Sequence, residues 1–473
     1  MGKKIAIIGA GSVGFTRNMV RDILSVPELS DSDIALMDID ERNLDMIERL
    51  LRKDVEANGV AASIEATINQ REAVRDADFV FCFVRVGGLE AFEQDVEIPL
   101  TYGVDQCVGD TLGPGGVFYA QRGIPVLLNL CRDIREVAKP DCLLLNYSNP
   151  MAMLTWACAK YGGVKVVGLC HGVIHGHAMI ADCFGLPKSE VDVICAGINH
   201  QTWFVQIRHN GSDLTGELLA AMERHPTYSV TEKVRIDMLR RFGYFSTESN
   251  GHLSEYVPWY RKRAQEIPEW IDMSFWIHGE TGGYLRACRE SRHWFETEFP
   301  EWMEGDPYRY GADQRGNEHG SYILEGLVTG RTYRGHFNVV NHGCIENLPP
   351  DCVIEAPGYV DGNGISMPRV GPLPLGCAAV CNASVSVQRL AVEAAVTGDD
   401  TLLRQAVLLD PLTAAVCRPD EVWQMVDDML IALAPWLPQY GPAIDQARIR
   451  RENGPPPPRS GYRGAARKEP IVS

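Results

Sequence analysis

Through its first 200 residues the chain alternates short apolar runs with stretches of helical periodicity. Lys4 to Ile8, Ile34 to Met37, Asp78 to Val84, Cys142 to Asn146 and Val164 to Leu169 read as strands buried on both faces. Between them, Phe15 to Leu24, about Tyr119 to Glu136 and about Met151 to Tyr161 carry apolar residues at helical spacing. Strand and helix in alternation predict a doubly wound parallel sheet with right-handed crossovers. After His200 the pattern changes. Thr202 to Arg208 alternates as a half-buried antiparallel strand does, and Asn210-Gly211 offers a hairpin turn. A mostly helical, aromatic-rich stretch then runs to about Tyr333. A second β-rich stretch begins at Asn338 and continues through Val353 to Ala356, and helices follow from Ser384 to about Thr397, around Leu402 to Leu409, and from Asp420 to about Leu433. The expected fold is α/β. A Rossmann-like parallel sheet over 1–196 precedes a mixed α+β domain over 197–440 for substrate, metal and oligomerisation, and a Pro-rich tail spans 441–473. Pro455 to Pro458 give that tail the composition of a docking arm, and an ordered arm of this kind is expected to be held by a neighbouring subunit.

The first strand runs into Gly9-Ala10-Gly11-Ser12-Val13-Gly14, which fits G-x-G-x-x-G and opens a helix. The glycines permit a tight turn and close approach of a pyrophosphate, and the helix N-terminus offers free N–H groups. The second strand ends at Asp38, whose carboxylate suits a ribose 2′-OH and repels a 2′-phosphate, which favours NAD over NADP. Two later strand ends carry different chemistry. Val166 to Gly172 delivers Cys170 and His171 to the carboxyl end of its strand, where open α/β sheets place ligands. Gly197-Ile198-Asn199-His200 supplies an imidazole, so that Cys170 and His200 form a candidate divalent-metal pair if the fold closes them onto one point. The loop Gly109-Asp110-Thr111-Leu112-Gly113-Pro114-Gly115-Gly116 is too glycine-rich for a helix and too polar for the core. It is expected to line a ligand cleft with Asp110 as hydroxyl acceptor.

Composition narrows the partners. A net charge of −17 with no long basic run argues against nucleic acid and anionic membranes. Hydrophobic residues make up 45% and charged ones 23%, as in soluble globular proteins, and no apolar stretch approaches the roughly 18 residues that span a bilayer. The 14 cysteines lack paired spacing, and the N-terminus enters a strand without a signal-peptide core. Reduced thiols and a cytoplasmic enzyme, a homodimer or homotetramer, are expected.

Gly9-x-Gly11-Ser12, Asp38-Ile39-Asp40, Asn146-Tyr147-Ser148-Asn149-Pro150, Cys170-His171-Gly172 and Gly197-Ile198-Asn199-His200 together resemble the NAD- and manganese-dependent glycosidases of glycoside hydrolase family 4. The match runs to about residue 440 and includes Asn341-x-Gly343 and Asp410 to Ala414. The fold of that family is related to lactate and malate dehydrogenases. The α-galactosidase (melibiase) branch is the nearest, through Asp110 to Gly116, Asn149 to Met153, and Phe242-Gly243-Tyr244 through Glu248-Ser249. Galactosidases of that group read Cys-His-Ser where this chain has Gly172, as members acting on α-glucosides or α-glucuronides do. A 6-phospho-sugar is disfavoured by His171-Gly172.

The resemblance implies hydrolysis of α-galactosides such as melibiose by transient oxidation at sugar C3, elimination and water addition. It implies NAD on Gly9, Gly11, Ser12, Val13, Gly14, Asp38 and Asn149, and Mn2+ or another divalent metal on Cys170 and His200. Thiolate and imidazole alone would suit zinc; manganese comes from the resemblance. Asn149, Asp110, His171 and Glu248 are the candidate sugar contacts, with His175 a further polar neighbour. Tyr244 is the candidate base for the C2 proton and Tyr256 its alternate, while His171 and Asp110 are candidate acid and hydroxyl acceptor. The alternatives are an α-glucosidase or α-glucuronidase/galacturonidase of the same family, or an NAD-dependent 2-hydroxy acid dehydrogenase.

Overall fold

The computed structural model describes residues 2–468. Thirteen strands, β1 (Lys4–Ile8), β2 (Asp33–Met37), β3 (Ser63–Thr67), β4 (Phe79–Cys82), β5 (Leu143–Asn146), β6 (Lys165–Gly168), β7 (Val191–Ile198), β8 (Gln201–His209), β9 (Ser212–Asp213), β10 (Phe245–Ser246), β11 (Tyr333–Val340), β12 (Val353–Asp361) and β13 (Gly364–Ser366), join into one sheet. Its order is β10-β8-β7-β12-β11-β6-β5-β4-β1-β2-β3, with β9 beside β8 and β13 beside β12. β1 to β6 pair in parallel as 3-2-1-4-5-6, the doubly wound order, and every pairing beyond β6 is antiparallel. Side-chain alternation divides each parallel strand between two cores. Ala6 and Ile8 enter the one built around the helices after Leu375, while Ile5 and Ile7 pack under Val13–Leu24 and Glu41–Asn58. Both faces are covered, which is why these strands read as unbroken apolar runs.

The expected division at 196/197 falls inside β7. β7 pairs with β8 on one side and meets β12 at Gly197 and Glu355 on the other, so the sheet passes through that point without a seam. The helix Glu41–Asn58 shows how local chemistry sets its ends. Asp40 accepts from the Arg42 and Asn43 N–H groups at its start, and Gly59 closes it with φ +61°.

Three expectations give way. The helix placed from about Tyr119 begins at Gly113 and takes in half of the stretch expected to be non-helical. A Cβ at Gly115 would collide with the Gly109 carbonyl, and one at Gly116 with the Thr111 backbone, so these glycines let the loop fold back on the helix's first turn and become buried. Likewise, the helix Leu375–Thr397 is long and apolar enough by composition to cross a membrane. Half of it is buried, and it packs on Gly113–Val137 and Asp400–Leu409 in the manner of a core helix. The tail is held by its own chain. Gly441–Glu452 is a helix against Pro419–Ala432, with Arg450 and Arg451 paired to Asp427 and Asp428. Farther on, Arg459 N–H donates to Thr101, Ala465 N–H donates to the Asp105 carboxylate at 3.0 Å, and Arg467 pairs with Glu97. Asp105 is buried and needs those donors, which Arg261, Thr281 and the tail supply. Residues 469–473 of the tail lie outside the described residues.

Candidate active site

Gly9 to Gly14 follow β1, Asn149 follows β5 and Cys170 follows β6, so all three sit at the carboxyl edge of the parallel sheet. Gly9 has φ +89°, and a Cβ there would lie 2.8 Å from the Phe83 carbonyl carbon. Gly11 N–H donates to Asp38 Oδ2 at 2.7 Å, and Asp38 Oδ1 accepts from Asp40 N–H at 3.0 Å, which fixes the carboxylate beside the turn. The Trp294 ring stands 3.3 Å from where a Cβ of Gly14 would be. Val13 is the first residue of the helix and Ser12 its N-cap. Phe15, one residue on, meets the His171 ring edge to face with centroids 6.2 Å apart, which joins the glycine turn to the end of β6.

Cys170, His200 and Glu248 bring one donor atom each to within 4.8 Å of one another. Their positions come from three places: just past the end of β6, the two-residue connection between β7 and β8, and the second residue after β10. His200 holds φ +62°, a left-handed conformation that a bulky side chain seldom adopts, in the turn that aims its ring inward. Its Nδ1 lies 3.1 Å from Thr111 Oγ1 and 3.2 Å from the Tyr256 hydroxyl, and no hydrogen bond to Nε2 occurs among the described residues. Nε2 is therefore the nitrogen left for a cation. Cys170 precedes the helix Gly172–Cys183 and its sulfur receives the Gly172 N–H at 3.4 Å. Burial, with the charges of Glu355 and Glu248, pushes the thiol well above its usual range, and the Gly172 N–H opposes this. A thiol, an imidazole and a carboxylate converging in a buried site fit a divalent cation, which would take the sulfur as thiolate.

Asp110 and Asn149 belong to the same network. Asn149 Nδ2 donates to Asp110 Oδ2 at 3.0 Å, Thr111 Oγ1 donates to Asp110 Oδ1 at 3.0 Å, and the same hydroxyl reaches His200. Glu255 anchors this loop by accepting the Cys107, Val108 and Gly109 N–H groups. His171 Nε2 sits 2.5 Å from Glu318 and its ring stacks on His175. Burial lowers the His171 pKa, but the Glu318 hydrogen bond and charge outweigh it, so the net shift is upward.

The two candidate tyrosines separate. Tyr256 is buried, stacks on His200 with an interplanar angle of 15° and touches its nitrogen. Tyr244 is half-buried against the core around Val234 and Met238, and no hydrogen bond joins it to Cys170 or His200 among the described residues. Of the two, only Tyr256 stands beside His200, because the turn Phe242-Gly243-Tyr244 ends before the chain enters the site at Ser246 to Glu248.

Sequence reasoning missed Thr111, Glu318 and a row lying across the sheet. Asn338 pairs with Gly168 on β6 and with Glu355 on β12, and Glu355 pairs with Gly197 on β7. Asn199 Nδ2 donates to Glu355 Oε2 at 3.3 Å, while Glu355 Oε1, Asn199 Oδ1 and both amide atoms of Asn338 are buried without partners. Burial pushes Glu355 up to about 8. A carboxyl inside the apolar run Val353-Ile354-Glu355-Ala356 was its signal in the sequence; Glu318 had none.

The model of the family described as "Family 4 glycosyl hydrolase" matches residues 4–186, and that of its C-terminal domain matches residues 195–413. An α-galactosidase of Rhizobium meliloti is 58% identical over 98% of this chain and 95% of its own. An α-galactosidase of Bacillus subtilis is 33% identical over 93% of this chain and 100% of its own. Among solved structures, a 6-phospho-α-glucosidase from gut microorganisms in complex with NAD and glucose-6-phosphate superposes with TM-score 0.76 at 25% identity, covering 93% of this chain and 99% of that one.

Proposed function

The chain belongs to family 4 of the glycosyl hydrolases, and from that premise we propose that it is an α-galactosidase that uses NAD and a divalent metal. One observation carries the chemistry: Cys170, His200 and Glu248 converge at the same sheet edge as the glycine turn that fits NAD. The sugar follows from the two α-galactosidases that match nearly the whole chain. The same matches leave the 2-hydroxy acid dehydrogenase alternative without support.

When bound, NAD supplies a hydride acceptor and donor for sugar C3, and the cation supplies Lewis acidity that lets the C2 proton leave and the C1–O bond break by elimination. The remaining work belongs to the chain. Cys170 and His200 hold the cation, for which manganese is the reading. Asp110, oriented by Asn149 and Thr111, accepts a sugar hydroxyl, and Asn149 donates beside it. His171, kept protonated by Glu318, gives its proton to the leaving oxygen. Tyr256, next to His200, takes the C2 proton. Its hydroxyl is held far above its usual range by burial and by the charges of Glu255 and Asp110, so the role depends on a cation beside it. The enzyme works as a homodimer or homotetramer in the cytoplasm, a reading supported by fourteen unpaired thiols.

The test is a panel of nitrophenyl glycosides assayed with Mn2+, NAD and a thiol reductant. Cleavage of the α-galactoside that disappears on chelation and on NAD removal is expected. Activity that survives both treatments overturns the reading, and preference for the α-glucoside or α-galacturonide moves the sugar to the family's other branches.

A further inference from the structure

Resting on the metal reading above, we propose that Glu248 is the third protein ligand of the cation, and that position 172 is glycine so that this carboxylate can reach it. A Cβ on Gly172 would fall on Glu248 Oε1, closer than 3.0 Å, and 3.1 Å from the carboxyl carbon. The backbone gives no other reason for glycine, since Gly172 opens a helix and is absent from the glycines with positive φ. Space is what position 172 provides, and a carboxylate fills it.

Glu248 also lacks what a largely buried carboxylate needs. Its side chain is 15% exposed, and among the described residues it has only a long, weak hydrogen bond from the Cys170 thiol at 3.9 Å and the His252 ring at 3.8 Å. A carboxylate so placed is costly unless a cation answers it. The convergence with Cys170 and His200 within 4.8 Å puts the missing positive charge between the three. Sulfur, nitrogen and oxygen from three separate segments make a catalytic donor set that leaves positions open for two sugar oxygens. The added oxygen also moves the preference from zinc toward manganese.

The experiment uses the full-length protein stripped of metal, titrated with Mn2+ by calorimetry and with Co2+ by absorption, with NAD binding as the check on folding. Wild type is expected to bind one Mn2+, and Co2+ to give a near-ultraviolet thiolate band that C170S abolishes. E248Q and G172S are expected to keep the band and NAD binding while Mn2+ affinity falls about tenfold or more. Should E248Q and G172S both bind Mn2+ as wild type does while C170S loses the band, the role of Glu248 is overturned and the metal reading stands. A wild type that binds neither ion, or a C170S that keeps the band, overturns the metal reading and this inference with it.

Discussion

The two edges of the parallel sheet differ in what their side chains leave unpaired. At the amino edge, where β4, β5 and β6 begin, lies a cavity of about 1520 Å³ lined by Lys3, Asp78, Lys139, Cys142 and Lys165. It is a roomy concavity, and its charges are already matched. Lys3 and Lys139 both bind Asp78, and Lys165 binds Asp141. The carboxyl edge gathers a thiol, an imidazole and a carboxylate that converge within 4.8 Å of one another with no lysine or arginine among them. Room alone does not mark the site. Uncompensated chemistry is the better guide, because a buried charge without a partner is expensive and persists only where a ligand repays it.

Substitutions can break this comparison. The largest effect is expected from H200A, which should lower kcat/KM by about 1000-fold or more while the protein still folds and binds NAD, since it removes a Lewis-acid ligand and a ring that lies outside the apolar clusters and packs on His252 and Tyr256. A residual activity near wild type would dissolve the contrast between the edges. Next, D110N should cost about 100-fold in kcat/KM through loss of a charged acceptor, read by initial rates with and without saturating metal. Y256F should lose about 100-fold and stop exchange of the C2 proton with deuterated water, whereas Y244F should remain within about threefold. The reverse order would return the base to Tyr244. K139A at the opposite edge should leave kcat unchanged and shift stability by less than about 1 kcal/mol, as exposed pairs do.

A further expected effect concerns pH. Glu355 is pushed up to about 8 in the folded state by burial, whereas an unfolded chain titrates near the ordinary value of about 4.3. The folded state therefore holds this proton more tightly, and the stability it contributes is complete below about pH 4.3 and lost as pH rises through 8. Thermal melts of wild type should decline more steeply between pH 5 and 8.5 than those of E355Q. Parallel curves would show that Glu355 does not hold that proton.

The parallel half of the fold was legible because burial on both faces writes itself as apolar runs, and the glycine turn because its backbone needs those residues. Cys170 and His200 could be named as strand-end residues, but their meeting depends on β11, β12 and β7 bridging from β6, a path set by pairings over 150 residues apart in the chain. Glu248 was read as a sugar contact, since nothing in a Thr-Glu-Ser sequence says that its carboxylate lies on Gly172. The Asp110 loop was misread for the opposite reason. Glycines that weaken a helix interior are the ones that let its first turn be covered closely.

The Asp105 carboxylate carries a further consequence for how the molecule comes into being. A growing polypeptide makes this residue 360 positions before the Ala465 amide that completes its set of donors. Until translation reaches that amide, a buried anion five residues from Asp110 is served by Arg261 and Thr281 alone. The reaction chamber is therefore written early in the message and finished late.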